Sequence, residues 1–131
     1  MTLVRMRQIP AMAALLLALA CGGGGGTGPA NQCVGVQNGT GGTSAATVSV
    51  KDNDPVSGFY EPSSVPVPVN SSVTWTWAGM NPHSVTFQGD GCPTSQTQTT
   101  GTYQLTFTTP GTFNYFCLVH PNMNGSVTVT P

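Results

Sequence analysis

The chain has 131 residues, room for one domain behind a leader, and only 5% of them are charged. Beyond residue 20, Lys51 stands alone against Asp52, Asp54, Glu61 and Asp90, a side-chain charge of −3. Nucleic acid is excluded as a partner, because nothing here could neutralise phosphates, and little charge is left to steer a strongly charged protein.

At the N-terminus, Arg5 and Arg7 precede a short apolar run from Ala11 to Ala20. This is the pattern of an export signal over residues 1–20, too brief to span a bilayer comfortably. Cys21 and the run Gly22 to Gly26 follow at once. The junction resembles the lipobox of bacterial lipoproteins, although Ala18-Leu19-Ala20 departs from its usual order. The resemblance implies a lipid on Cys21 and a place on the periplasmic face of a bacterial membrane. Ordinary cleavage nearby would leave a soluble periplasmic or secreted protein instead. Residues 22–32 have the composition of a flexible tether, with a random-coil reach of roughly 17–20 Å.

A folded domain is expected from Cys33 to Pro131, where Val, Thr, Tyr, Phe and Trp are broken by Gly, Pro and Asn. Ala45 to Val50 reads as a first strand. Val65 to Val69 alternates Val with Pro, which suits an edge strand better than a central one. Val73-Thr74-Trp75-Thr76-Trp77 alternates cleanly and should turn Val73, Trp75 and Trp77 to the core. Ser84 to Gln88, Thr102 to Thr108, Phe113 to Cys117 and Ser126 to Thr130 complete the series, with Pro110-Gly111 as a turn. Tyr103, Leu105 and Phe107, like Phe113 and Tyr115, should also face inward. No stretch of the mature part has convincing helical periodicity. The expectation is all-β: a β-sandwich of about seven to eight strands.

The chemistry is concentrated near the end, where Cys117, His120 and Met123 are spaced C-x2-H-x2-M. Cys117 continues the inward face of Phe113 and Tyr115 just as that strand runs out. A short loop returns His120 and Met123 toward the same point. His83, 34 positions upstream of Cys117, opens another predicted strand. Any one of these residues alone would be read as packing or as a satisfied histidine. Together, one thiolate, two imidazoles and a thioether select copper and place it in a trigonal site with a weak axial Met. Zinc would leave the thioether unused, and the C-x-x-C-H haem motif is missing.

Residues 58–131 resemble a cupredoxin, the blue-copper family typified by plastocyanin, pseudoazurin and amicyanin. Four segments carry the likeness: Phe59-Tyr60-Glu61-Pro62, the strand Val73 to Trp77, Pro82-His83-Ser84-Val85-Thr86-Phe87, and Gly111 through Val129. The resemblance implies a Greek-key sandwich holding one type 1 copper ion. His83, Cys117 and His120 would be the equatorial ligands and Met123 the long axial one. It also implies an electron port at His120, framed by Met80, Pro82, Leu118, Pro121 and Asn122. Many cupredoxins carry Asn directly after the first histidine, tying the two ligand loops together; here Ser84 takes that place. With Cys21 assigned to lipid and Cys117 to copper, Cys33 and Cys92 remain to form a disulfide in an exported compartment.

Four functions compete for this residue set. The leading one is an electron carrier, expected as a monomer that meets redox proteins through a neutral patch around His120. An enzyme of the multicopper type would need further histidines, and the chain has only two. Copper storage or delivery would use the same four ligands. A purely structural sandwich would leave the ligand spacing as coincidence.

Overall fold

A computed structural model describes residues 32–37, 44–89 and 91–131. The export signal, Cys21 and nearly all of the tether lie outside the described residues. Among the described residues there are nine strands: β1 (Cys33–Gln37), β2 (Ala46–Asp54), β3 (Ser57–Glu61), β4 (Ser64–Pro68), β5 (Ser71–Trp77), β6 (Thr86–Phe87), β7 (Thr102–Phe107), β8 (Gly111–Phe116) and β9 (Asn124–Thr130).

They form a five-stranded sheet in the order β1-β7-β5-β2-β3 and a four-stranded sheet in the order β4-β9-β8-β6. Both sheets are mixed. β2 runs parallel to β5 and β4 parallel to β9, while the remaining pairs are antiparallel. From β3 to β8 every connection passes from one sheet to the other, which is what turns two sheets into a sandwich around one core.

Alternation decides which side chains fill that core. Val73, Trp75 and Trp77 are buried along β5, and Tyr103, Leu105 and Phe107 along β7. The Trp75 indole sits at the centre, with ring centroids 5.3 Å from Tyr115 and 5.9 Å from Phe87, both edge-on. Such edge-to-face pairs contribute about 0.5–1.5 kcal/mol each beyond the area they bury. Val65 and Val67 face inward from β4 while Pro66 and Pro68 face solvent. A proline cannot donate to a ladder, and β4 is an edge strand, where that costs little.

Four strands differ from their sequence expectation. The strand expected over Ala45 to Val50 runs from Ala46 to Asp54, with an irregularity between Asp52 and Asp54 where it pairs with β3. β1 and β3 were not among the seven strands read from alternation. β3 buries only Tyr60 and therefore leaves little periodic signal. The stretch Ser84 to Gln88 shrinks to the two residues of β6, because the preceding backbone is engaged elsewhere.

Candidate metal centre

β8 ends at Phe116 and β9 begins at Asn124, so the connection between these neighbours is the loop 117–123. The Cys117 N–H donates to the Met123 carbonyl at 3.0 Å, which closes the loop into a compact turn. The Met123 N–H donates to the His120 carbonyl at 3.4 Å. Asn122 takes a positive φ of 66°, a conformation asparagine tolerates better than most residues. At the loop end of the β8–β9 pair, Tyr115 lies opposite Gly125. A Cβ at Gly125 would overlap the Tyr115 ring, so only glycine lets that ring lie flat where the strand delivers Cys117.

The second segment reaches the same pole from β5. His83 exchanges both backbone hydrogen bonds with Gln98, at 2.9 Å each. Its carbonyl accepts from the Trp77 indole N–H at 3.1 Å, and the next carbonyl, Ser84, accepts from the Tyr60 hydroxyl at 2.5 Å. The Val85 N–H goes to the Ser95 hydroxyl at 2.8 Å. With these groups committed, residues 83–85 do not pair with β8, and this is why β6 is so short.

All four sequence-predicted ligand residues are buried: His83 at 0% exposure, Met123 at 2%, Cys117 at 5% and His120 at 5%. Sγ of Cys117 stands 3.8 Å from Nδ1 of His83 and 3.7 Å from Nδ1 of His120. The two Nδ1 atoms are 3.0 Å apart. Bond lengths of about 2.3 Å to sulfur and about 2.0–2.1 Å to nitrogen in a trigonal plane would set sulfur–nitrogen edges near ~3.8 Å. The two observed sulfur–nitrogen edges match that figure, while the nitrogen–nitrogen edge of 3.0 Å is shorter than the roughly 3.5 Å the same triangle implies. One thiolate and two imidazoles facing one another, with a thioether in the same loop, fit a copper ion better than any other first-row metal.

Neighbouring groups fix the donors. The Ser84 N–H points at the Cys117 sulfur at 3.5 Å. The Ser84 hydroxyl accepts from the Leu118 N–H at 2.9 Å, so serine ties the two ligand loops despite its short side chain. Nε2 of His83 lies 2.6 Å from Oδ1 of Asp52. The Met80 N–H, with the His83 ring and the Asn81 N–H, holds the Asp52 carboxyl down to about 2, so it is ionised and can only accept. Nε2 of His83 must then carry the proton, leaving the Nδ1 lone pair free toward Cys117 and His120.

A model of copper-binding proteins, the plastocyanin/azurin family, matches residues 44–130. The chain belongs to that family. Amicyanin-alpha of Methylorubrum extorquens is 35% identical over 75 residues, covering 53% of this chain and 63% of its own. The chloroplastic plastocyanin of Physcomitrium patens is 33% identical over 99 residues, covering 66% of this chain and 58% of its own. Each match spans less than two thirds of the relative's length. Among solved structures, a purple cupredoxin from Nitrosopumilus maritimus superimposes with a TM-score of 0.53 at 28% identity, covering 65% of this chain and 99% of that one. The cupredoxin fold and a copper site at His83, Cys117, His120 and Met123 therefore stand together.

Cys33 and Cys92 are joined at disulfide distance, with Cα atoms 4.8 Å apart. Sequence reasoning missed Asp52. Its signal was a carboxylate in a chain almost devoid of charge, but Asp52 had been counted only toward net charge. Gly58 and Gly79 were missed as well. A Cβ on Gly58 would overlap Cε1 of His83, and one on Gly79 would overlap the Asp52 carboxylate.

Proposed function

We propose that this cupredoxin carries one electron at a time between redox proteins outside the cytoplasm, with His83, Cys117 and His120 as equatorial ligands and Met123 as the axial one. Copper held there supplies Cu(II)/Cu(I) chemistry, and the chain supplies the constraint. The observation that carries the reading is the convergence of three buried donor atoms, all within 4.8 Å of one another. Each comes from a segment whose backbone is tied elsewhere, so the donor set has little freedom to change shape when charge changes. A site of that kind suits repeated electron exchange better than ligand-by-ligand release of metal.

The partner surface proposed is the neutral rim of the two ligand loops. Met80, Pro82, Leu118, Pro121 and Asn122 are exposed and uncharged. Contacts through such a surface would be small and short-lived. Export by residues 1–20 and a lipid anchor at Cys21 complete the proposal, and the Cys33–Cys92 pairing agrees with an oxidising compartment.

Electron transfer and copper delivery separate in one pair of measurements on the copper-loaded chain. Fast electron self-exchange with slow loss of Cu(I) to a chelator is the outcome expected for a carrier. Slow self-exchange with rapid transfer of Cu(I) to the chelator would make this a delivery protein.

A further inference from the structure

Asp52 has no part in the ligand set, yet the site is built around it. The irregularity between Asp52 and Asp54 leaves Asn53 without a partner in β3, and such a bulge re-aims the side chains beside it. Oδ1 of Asp52 then meets His83 Nε2 at 2.6 Å. Oδ2 accepts the N–H groups of Met80 and Asn81, in the loop that leads into His83. One carboxylate thus holds both the ring and the backbone that delivers it. Two glycines make the room. Gly58, the cross-strand partner of Asp52, gives space to the His83 ring, and Gly79 gives space to the carboxylate itself.

We propose that Asp52 is a positioning residue of the copper centre, fixing the His83 ring through Nε2 and tuning how strongly Nδ1 binds the oxidised metal. A carboxylate behind an imidazole orients the ring and raises its basicity, and removing such a partner typically weakens metal binding about 10–100-fold. A more basic imidazole favours Cu(II) over Cu(I), so Asp52 lowers the reduction potential. The inference rests on the copper reading above. A turn-capping role alone would hold Met80 and Asn81 without moving the potential.

The test is Asp52→Asn in the full chain, which keeps the side-chain shape and removes the charge. The blue colour should survive. Cu(II) affinity relative to Cu(I) should fall about tenfold, raising the potential by about 59 mV. Gly79→Ala, which displaces the carboxylate without deleting it, should shift the potential in the same direction. An unchanged potential in both blue variants would overturn the proposal. Should neither variant fold, nitrogen-resolved NMR of the metal-free wild type decides. His83 protonated at Nε2 with a slowly exchanging proton supports the role, and a ring protonated at Nδ1 overturns it. A wild-type chain that binds copper without colour would sink the electron-carrier reading instead, and the tautomer would still decide the role of Asp52.

Discussion

The Leu118 N–H donates to the Ser84 hydroxyl at 2.9 Å across 34 positions of sequence, joining the loop that follows Cys117 to the one that contains His83. The same serine donates its own N–H toward the Cys117 sulfur. One residue therefore couples the two halves of the site and hydrogen-bonds the thiolate.

Ser84→Ala removes the hydroxyl while leaving its N–H in place. The Leu118 N–H is then left without its partner, a cost of about 1–3 kcal/mol for a buried group and less where water reaches it. Thermal or denaturant unfolding of the metal-free chain should show a loss of that order. The copper-loaded variant should keep its colour and release metal faster. A variant as stable and as retentive as wild type would mean the loops are held together by other contacts.

Tyr60, Tyr103 and Tyr115 are the chain's three tyrosines, and all are buried. Burial pushes each hydroxyl up, Tyr115 to about 12 and the other two further, with the nearby Cys117 adding to the effect at Tyr60. An unfolded tyrosine ionises near pH ~10. Folded-state stability is therefore intact below about pH 10 and falls as pH rises above it, by up to about 1.4 kcal/mol per pH unit for each tyrosine. Urea titrations of the metal-free chain between about pH 8 and pH 12 should show this decline. Tyrosinate absorbance should appear together with unfolding. Tyrosinate forming in the still-folded protein would contradict the burial.

The Cys33–Cys92 bridge spans 59 residues and lies far from the metal centre. Cys92 lines a cleft with Gly111, Thr112 and Phe113 at the start of β8, whereas Cys117 follows its end, roughly 20 Å along the strand at ~3.3 Å per residue. Replacing both cysteines by serine should cost roughly 4 kcal/mol in the chain-entropy model. The visible spectrum of the copper-loaded chain should not change. A shifted spectrum would show that strain at one pole reaches the other.

Met123→Leu keeps an apolar side chain of similar size in a buried position and removes the thioether. The colour should persist, because the thiolate is untouched, and the potential should rise as the axial donor is lost. An unchanged potential would mean that Met123 packs beside the metal without binding it.

Much of this architecture was legible in the residues because burial writes a period of two. β5 and β4 announce themselves through Trp75 and Val67, each flanked by side chains that are not buried, and β7 through Tyr103, Leu105 and Phe107, although Gln104 between them is buried too. β3 could not be read that way. Its Gly58 is there to leave space for a ring from another segment, and its one buried residue, Tyr60, reports a hydrogen bond to Ser84 rather than a repeat. The ligands were legible because copper needs particular donor types at close spacing. The residues that aim them were not. Asp52 acts on His83 across 31 positions and Gly79 on Asp52 across 27, and such relationships exist only once the strands are paired. Ser84 was visible in the sequence, but its contact was not. It stands where many cupredoxins carry asparagine, and the loops approach closely enough for its shorter hydroxyl side chain to join them.

The most direct test of the copper site is to add Cu(II) to the purified chain and record its visible spectrum beside that of Cys117→Ser. An intense blue band from thiolate-to-copper charge transfer in the wild type, absent from the variant, is the result this structure predicts. Full copper uptake by a colourless wild-type protein would show that Cys117, His83 and His120 do not share one metal ion.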